Sequence, residues 1–153
     1  MDERQVEPRP AQFEKAVYLV SCTKSKLCVP APAKELYAAS SWFSKAREYV
    51  KRQKQPWFVL SAKHGLVHPD EVITPYDCTL TDMGPAERLR WAKRVLAELQ
   101  QHLEGVETVT FLASVPYRKL LIPALLGRGF CVSVPMEGLR QGEQSQWLKE
   151  QLR

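Results

Sequence analysis

The chain has 153 residues and a net charge of +5, and its hydrophobic fraction of 44% is ordinary for a globular protein. A domain of this length buries roughly 70% of its unfolded surface, so one domain with a hydrophobic core is expected. No apolar run approaches the roughly 20 residues that span a bilayer, and residues 1–10 lack the apolar core of a signal peptide. These features argue against a membrane or secreted protein, and we predict a cytoplasmic one.

Positive charge is concentrated in the first half of the chain. Residues 15–63 contain ten lysines or arginines and two acids, Glu35 and Glu48, so this segment carries +8 and the rest carries −3. The asymmetry favours a phosphorylated substrate or a polyanionic partner, with DNA favoured; the alternative is a solvated helix face. The four cysteines are too sparse for a disulfide scaffold and are predicted to be reduced.

The first predicted elements are an arm and a strand. Residues 1–14 are polar with two prolines, which predicts a flexible arm before a single domain over residues 15–153. Residues 17–20 are apolar and predict a buried strand. Hydroxyls and lysines fill residues 21–26, so the loop after this strand suits an anion such as phosphate.

In the middle of the chain, a predicted strand is again followed by polar residues. Residues 34–54 have helical spacing of apolar side chains and predict one or two helices, with Ser40 or Ser41 capping the second. Residues 57–60 predict a second strand that ends in Ser-Ala-Lys-His-Gly. The prolines in residues 68–77 predict an irregular connection, long enough to be a functional loop.

The last part of the chain alternates between helices and strands. A helix capped by Thr81 or Asp82 is predicted to reach about residue 103, and a short helix is predicted to break near Pro123. That short helix covers residues 119–126, and the remaining predicted elements are strands at 109–112 and 130–134 and a last helix after residue 144. This alternation predicts an α/β domain with a mainly parallel sheet of four or slightly more strands and helices on both faces.

Loops after the four predicted strands should meet at one edge of that sheet, where open α/β sheets bind ligands. Their side chains, with the Tyr76 loop as a cover, combine hydroxyls with cations and are typical of a pocket for an anionic ligand. The predicted ligand-binding residues are Ser21, Thr23, Lys24, Ser25, Lys26, Ser61, Lys63, Tyr76, Tyr117 and Arg118.

Three residues of these loops are candidates for proton transfer. His64 has an ordinary pKa near 6.5, and Asp77 and Glu137 carry carboxylates, so each is a candidate catalytic residue. Each also has a structural alternative: a hydrogen-bonded histidine, a loop anchor and a turn acid. Whether the protein is an enzyme is left open.

Other chemistry has weaker support in the sequence. Cys22 is a candidate nucleophile without an identifiable histidine partner. The cysteine and histidine spacings do not match a zinc site, and no phosphate-binding or dinucleotide-binding glycine motif occurs, so no metal or cofactor is predicted. A basic stripe in the second helix could instead bind nucleic acid through Lys45, Arg47, Lys51, Arg52 and Lys54.

Spaced motifs over residues 17–148 resemble an uncharacterised bacterial and phage domain of the DUF6884 type. They are Ser-Cys-Thr-Lys-Ser-Lys near the start, Leu-Ser-Ala-Lys-His-Gly-Leu-Val and Pro-Tyr-Asp in the middle, and Gly-Glu-Gln-x-x-Trp-Leu near the end. The middle motifs are also similar, more distantly, to the YaaA peroxide-stress proteins. That resemblance implies an α/β core, DNA binding and oxidative-stress protection, and domains related to these are associated with modified-base metabolism.

The leading hypothesis is therefore a nucleotide- or nucleic-acid-binding protein with a strand-end pocket, which would act on a nucleobase or glycosidic bond if it is an enzyme. The alternative is a non-catalytic DNA-binding stress-response protein of YaaA type, in which the basic stripe dominates. A third hypothesis is a redox or regulatory module that uses Cys22.

Overall fold

A central parallel strand organises the computed structural model, which describes residues 15–153. The strands of this part of the chain are β1 (Ala16–Ser21), β2 (Ala31–Pro32), β3 (Trp57–Ser61), β4 (Gly65–Val67), β5 (Val72–Ile73), β6 (Thr108–Leu112) and β7 (Cys131–Ser133). Within the described residues they form a five-stranded sheet of order β4-β3-β1-β6-β7 and a two-stranded ribbon of β2 and β5.

Strand β1 lies between two parallel neighbours. It pairs with β3 on one side and β6 on the other, so that Leu19 lies between Phe58 and Phe111. Strand β7 is parallel to β6, and β4 is antiparallel to β3. The carboxyl ends of β1, β3, β6 and β7 therefore lie at the same edge, and the predicted α/β fold with a mainly parallel sheet is confirmed.

Strand β4 lies where the sequence predicts only a turn and an irregular connection. It forms a hairpin with β3 in which Gly65 pairs with Ser61 and Val67 pairs with Val59. Three residues are too few to show the alternating pattern of a strand, and a glycine at its start is typical of a turn. The hairpin brings the turn between β3 and β4 to the carboxyl-end edge of β3.

The helices of the described chain are α1 (Ala33–Leu36), α2 (Ser41–Arg52), α3 (Pro85–Gln100), α4 (Val115–Arg118), α5 (Leu121–Gly127) and α6 (Gln141–Gln151). Helix α3 begins at Pro85 after Gly84, because Thr81 and Asp82 belong to a 3-10 turn instead of capping the helix. Pro123 lies in the first turn of α5, where a proline nitrogen displaces no helical hydrogen bond, so it does not break that helix.

The crossovers between strands place helices on both faces of the sheet. The connection from β1 to β3 contains α2, and the connection from β3 to β6 contains α3 and runs in the opposite direction across the sheet. Crossovers between parallel strands are right-handed in nearly all proteins, so α2 and α3 lie on opposite faces. Helix α6 packs against α2, and α3 contacts β4.

The core forms around β1 and the helices that cover it. Val17 and Leu19 of β1, Phe43 of α2, Leu99 of α3 and Phe111 of β6 are all fully buried. Complete burial of such a side chain contributes about 1.5–3 kcal/mol relative to exposure, so these buried residues are a main source of stability.

No helix within residues 15–153 is long and apolar enough to cross a membrane. The predicted flexible arm, residues 1–14, lies outside the described residues, and the cytoplasmic location stays a prediction.

The cap of α2 offers a direct test of the local fold, because the Ser40 hydroxyl accepts a hydrogen bond from the Phe43 amide at 3.2 Å. We expect Ser40→Ala to lower the free energy of unfolding by about 1 kcal/mol in urea denaturation. Ser41→Ala is the matched control, since the Ser41 hydroxyl only accepts a bond from the Lys45 ammonium at the surface. Equal losses in the two variants would contradict the assignment of Ser40 as the cap.

Candidate functional site at the strand ends

Polar and aromatic side chains from separate parts of the chain meet at the carboxyl-end edge of the sheet. They come from the loop after β1, from the end of β3 and the turn that follows it, from α4, from the end of α1, and from the connection between β5 and α3. We call this group the strand-end cluster: Cys22, Tyr37, Ser61, His64, Tyr76 and Tyr117.

A chain of hydrogen bonds starts at the end of β3. The hydroxyl of the fully buried Ser61 accepts a bond from the His64 amide at 2.9 Å and donates one to the Tyr76 hydroxyl at 2.8 Å. The Tyr76 and Tyr37 hydroxyl oxygens are 2.6 Å apart and share one hydrogen. Ser61 therefore fixes both the turn that carries His64 and the loop that carries Tyr76.

A second group of bonds joins the loops after β1 and β6. The buried Cys22 thiol donates to the Tyr117 hydroxyl at 3.4 Å, and the Leu80 amide approaches the same oxygen at 3.5 Å. Trp91 of α3 connects this group to β3, because its indole N–H donates to the Ser61 carbonyl at 2.9 Å while its ring packs edge-on against Tyr117. The two groups thus form one cluster.

The hydroxyl groups of the cluster carry more hydrogens than the hydrogen bonds between them use. Only one hydrogen lies between Tyr37 and Tyr76, so one of their two hydroxyl hydrogens is not used in the bonds that join Ser61, Tyr76 and Tyr37. The Tyr117 oxygen accepts from Cys22 and Leu80, and the phenol also carries one hydrogen of its own to donate. An oxygen or nitrogen of a ligand can accept these hydrogens.

His64 supplies the second unsatisfied group. Its Nε2 atom is buried and has no hydrogen-bond partner among the described residues, and its ring lies edge-on to Tyr76 with centroids 5.3 Å apart. Burial lowers the pKa of His64, and the charges of Lys63 and Arg94 lower it further against a small opposing effect of Glu71. The imidazole is therefore neutral near pH 7 and can accept a proton.

Helix α3 holds the backbone of the His64 turn. The Arg94 guanidinium donates to the Lys63 carbonyl at 3.1 Å and to the His64 carbonyl at 2.8 Å. The Glu98 carboxylate accepts from the Leu66 amide at 3.0 Å. These bonds hold the backbone of the turn from which the imidazole projects.

Gly65 makes that close approach of α3 possible. Its φ of +74° lies in the left-handed region, and a Cβ atom there would lie 2.7 Å from Glu98 Oε1 and 3.1 Å from Arg94 Nε. A larger residue would be strained and would displace the two side chains that position His64.

The tyrosines of the cluster stay protonated. Burial, reinforced by the neighbouring Cys22, raises the pKa of Tyr37, Tyr76 and Tyr117 well above the ordinary value for a phenol. The Lys26 ammonium lies 4.6 Å from the centre of the Tyr76 ring, so a cation covers this part of the cluster. The site therefore combines neutral hydroxyl donors with a nearby positive charge.

Several residues predicted from the sequence do lie in this region. Ser61, His64, Tyr76 and Tyr117 belong to the cluster, and Lys26 contacts it. The other members of the loop after β1 are arranged around it: Ser21 is buried at the end of β1, Thr23 Oγ1 donates to the Ser25 carbonyl, and Lys26 Nζ donates to the Lys24 carbonyl, with the side chains of Lys24 and Ser25 exposed.

Three other predicted residues are placed differently. Arg118 donates to the Ala113 carbonyl at 2.5 Å and so tethers the loop after β6. Asp77 and Glu137 are exposed, and within the described chain no hydrogen bond joins either carboxylate to the cluster. A catalytic role for these two acids stays a prediction.

Tyr37, Trp91, Arg94 and Glu98 contact the site but are not among the residues predicted from the sequence. Tyr37 and Trp91 lie in segments for which the sequence predicts helices, and their apolar rings fit that pattern whatever their polar atoms bind. A buried phenol or indole generally needs a hydrogen-bond partner, and this need is the signal that could have identified Tyr37 and Trp91. Arg94 and Glu98 bond to backbone carbonyls and an amide. Because nearly every residue has these groups, the sequence does not indicate which residues are the partners.

The predicted basic stripe of α2 is partly neutralised. Glu35 and Glu48, the acids of the basic first half, both lie beside Arg47, at 3.6 and 3.2 Å, and Glu48 is also 3.7 Å from Lys51. The remaining members form local contacts or are exposed: Lys45 donates to Ser41, Arg52 donates to the Leu152 carbonyl, and Lys54 is exposed. A nucleic-acid-binding role for the stripe stays a prediction.

Within residues 15–153, no group of three or more histidine, cysteine or acidic side chains is arranged to hold a metal ion. The four cysteines are unbridged.

Comparison with known proteins gives one match. The model of a family of unknown function (DUF6884) matches residues 17–150. No curated protein and no solved structure matches the chain. The more distant similarity to the YaaA proteins is not confirmed.

The Ser61 hydroxyl is predicted to stabilise the cluster. Ser61→Ala leaves the His64 amide and the Tyr76 hydroxyl without their shared partner, and we expect a loss of about 1–3 kcal/mol in the free energy of unfolding. Ser25→Ala is the control because that side chain is exposed. Denaturant titration that gives the same stability for both variants would contradict the hydrogen-bond chain.

The lowered pKa of His64 predicts a pH dependence of stability. On acidification below the ordinary value of 6.5, the unfolded chain binds a proton that the folded His64 resists, so stability falls as the pH drops. We expect the wild type to lose more stability than His64→Gln between about pH 7.5 and about pH 5.5. Parallel curves would show that the environment of His64 does not disfavour its charge.

Proposed function

We propose that this chain, which belongs to the DUF6884 family of unknown function, binds a nucleotide unit at its strand-end cluster, either as a free nucleotide or within a nucleic acid. The observation that carries the proposal is the buried, unpartnered His64 Nε2 beside tyrosine hydroxyls that have hydrogens to donate. A buried polar atom without a partner in a native protein calls for an explanation, and a ligand supplies one.

The groups around the cluster suit the parts of a nucleotide. Lys24, Lys26 and Lys63 would hold the phosphate as point charges at the mouth of the site. The tyrosine hydroxyls and the imidazole would bind the polar edge of the base or sugar, since buried donors and acceptors need a complementary partner there. The position at the carboxyl ends of parallel strands is the usual ligand site of this class of sheet.

The same arrangement supports chemistry on the bound unit. A neutral His64 is suited to take a proton from a nucleophile that attacks the base or the glycosidic carbon. Phenols whose pKa values are raised by burial keep their hydrogens and can donate to negative charge that develops in the transition state.

The proposal includes a reducing, cytoplasmic location, which accords with four unbridged cysteines.

Titration of the protein with nucleoside monophosphates and with labelled single-stranded and duplex DNA tests this proposal. We expect Lys63→Ala to weaken binding about tenfold, the cost of losing a charge-assisted contact, while the thermal midpoint stays near that of the wild type. His64→Gln should weaken binding of the base or sugar and abolish any base release. Lys93→Ala removes the same charge from an exposed position of α3 and is the matched control.

The DNA-binding alternative predicts a different result in the same assay. If α2 binds the DNA backbone, affinity falls steeply with salt and is lost in Lys45→Ala/Arg52→Ala, whereas Lys63→Ala behaves like the wild type. That outcome would overturn the strand-end proposal and favour a non-catalytic DNA-binding protein.

A further inference from the structure

A separate cleft lies at the other end of β3. Its volume is about 380 Å³, which is within the range of small-molecule sites. Trp57, at the start of β3, lines this cleft, whereas Ser61 of the strand-end cluster ends the same strand. Four residue steps at roughly 3.3 Å each separate the two positions by about 13 Å, so the cleft is a distinct site.

Aromatic residues line the cleft. Trp57 is half-buried, and the neighbouring Phe58 is buried. His68 also lines the cleft and packs edge-on against Phe58 with ring centroids 6.0 Å apart. An accessible indole on a fixed strand is a stacking surface for a planar ring.

The two walls of the cleft are tied together by backbone bonds. The Lys34 amide donates to the Pro69 carbonyl at 2.9 Å, and the Ala33 amide donates to the Glu71 carbonyl at 2.8 Å. The Arg47 guanidinium also donates to the Lys34 carbonyl at 2.8 Å. The cleft is therefore formed before a ligand arrives, which reduces the entropy lost on binding.

Two lysines at the mouth can accept an anion. Lys34 pairs with Asp70 at 2.7 Å, and Lys51 lies 3.7 Å from Glu48, with 40% and 56% of the two lysine side chains exposed. Exposed pairs of this kind are weak, because water and salt screen them. A phosphate can therefore replace the carboxylates at Lys34 and Lys51.

We propose that this cleft binds a planar aromatic ring that carries a phosphate, with the ring against Trp57 and the phosphate between Lys34 and Lys51. Such a ligand is either a free nucleotide or one unit of a single-stranded nucleic acid. The cleft shares no lining residue with the strand-end cluster, so the two proposals stand or fall separately.

The test uses the intrinsic tryptophan emission of the full chain during titration with adenosine 5′-monophosphate, inorganic phosphate and a short labelled DNA strand. Stacking on Trp57 should quench the emission, and Trp57→Leu should abolish that quenching and weaken binding about fivefold or more. Lys51→Ala should weaken binding and keep the quenching at saturation, while Lys93→Ala should match the wild type. Thermal midpoints establish that each variant is folded.

The arms of the experiment separate the possible outcomes. Tight binding of the monophosphate identifies a free nucleotide as the ligand, and binding of the DNA strand alone identifies a nucleic-acid unit; both support the cleft if Trp57→Leu and Lys51→Ala each weaken them. DNA binding that Lys51→Ala weakens and Trp57→Leu leaves unchanged would overturn the proposal and favour the basic stripe. Phosphate that binds as tightly as the nucleotide, with no effect of Trp57→Leu, would overturn the proposal. Binding lost only in Lys63→Ala would also overturn it and would support the strand-end cluster instead.

Discussion

Parallel pairing on both sides of β1 is the constraint on which the rest of the molecule depends. A strand held between two parallel neighbours needs a crossover on each side, and those crossovers supply the helices that cover the sheet. The same pairing sends every loop that follows a parallel strand to one edge. Polar side chains far apart in the chain, such as Cys22 and Tyr117, meet there because the parallel strands that precede them end at the same edge.

The cluster at that edge is built from neutral groups. Burying charges would carry a large desolvation cost, whereas buried hydroxyls cost little when each has a partner. Most of the polar atoms here do have one, and the exceptions, His64 Nε2 and the surplus tyrosine hydrogens, are concentrated in one place. Local departures from complete hydrogen bonding are expected at functional sites more than elsewhere.

The sequence predicts the fold better than it predicts the contacts. Strands that end in hydroxyls and lysines predict the edge at which the cluster forms, and Ser61, His64 and Tyr76 are found there because topology brings them together. Tyr37 escapes prediction because helical spacing records its apolar ring and not the direction of its hydroxyl. Arg94 escapes because its partners are backbone carbonyls, whose positions depend on the turn after β3.

Both outer strands of the main sheet in the described chain, β4 and β7, have only three residues. An edge strand presents unpaired amides and carbonyls that can recruit a strand from another molecule, and a short edge presents few of them. Three residues give a foreign strand little to pair with, so the sheet is poorly suited to growth by intermolecular strand addition. The same shortness leaves β4 and β7 with few hydrogen bonds to hold them in place. Local fraying and amide hydrogen exchange should therefore be fastest, within the sheet, at these two strands.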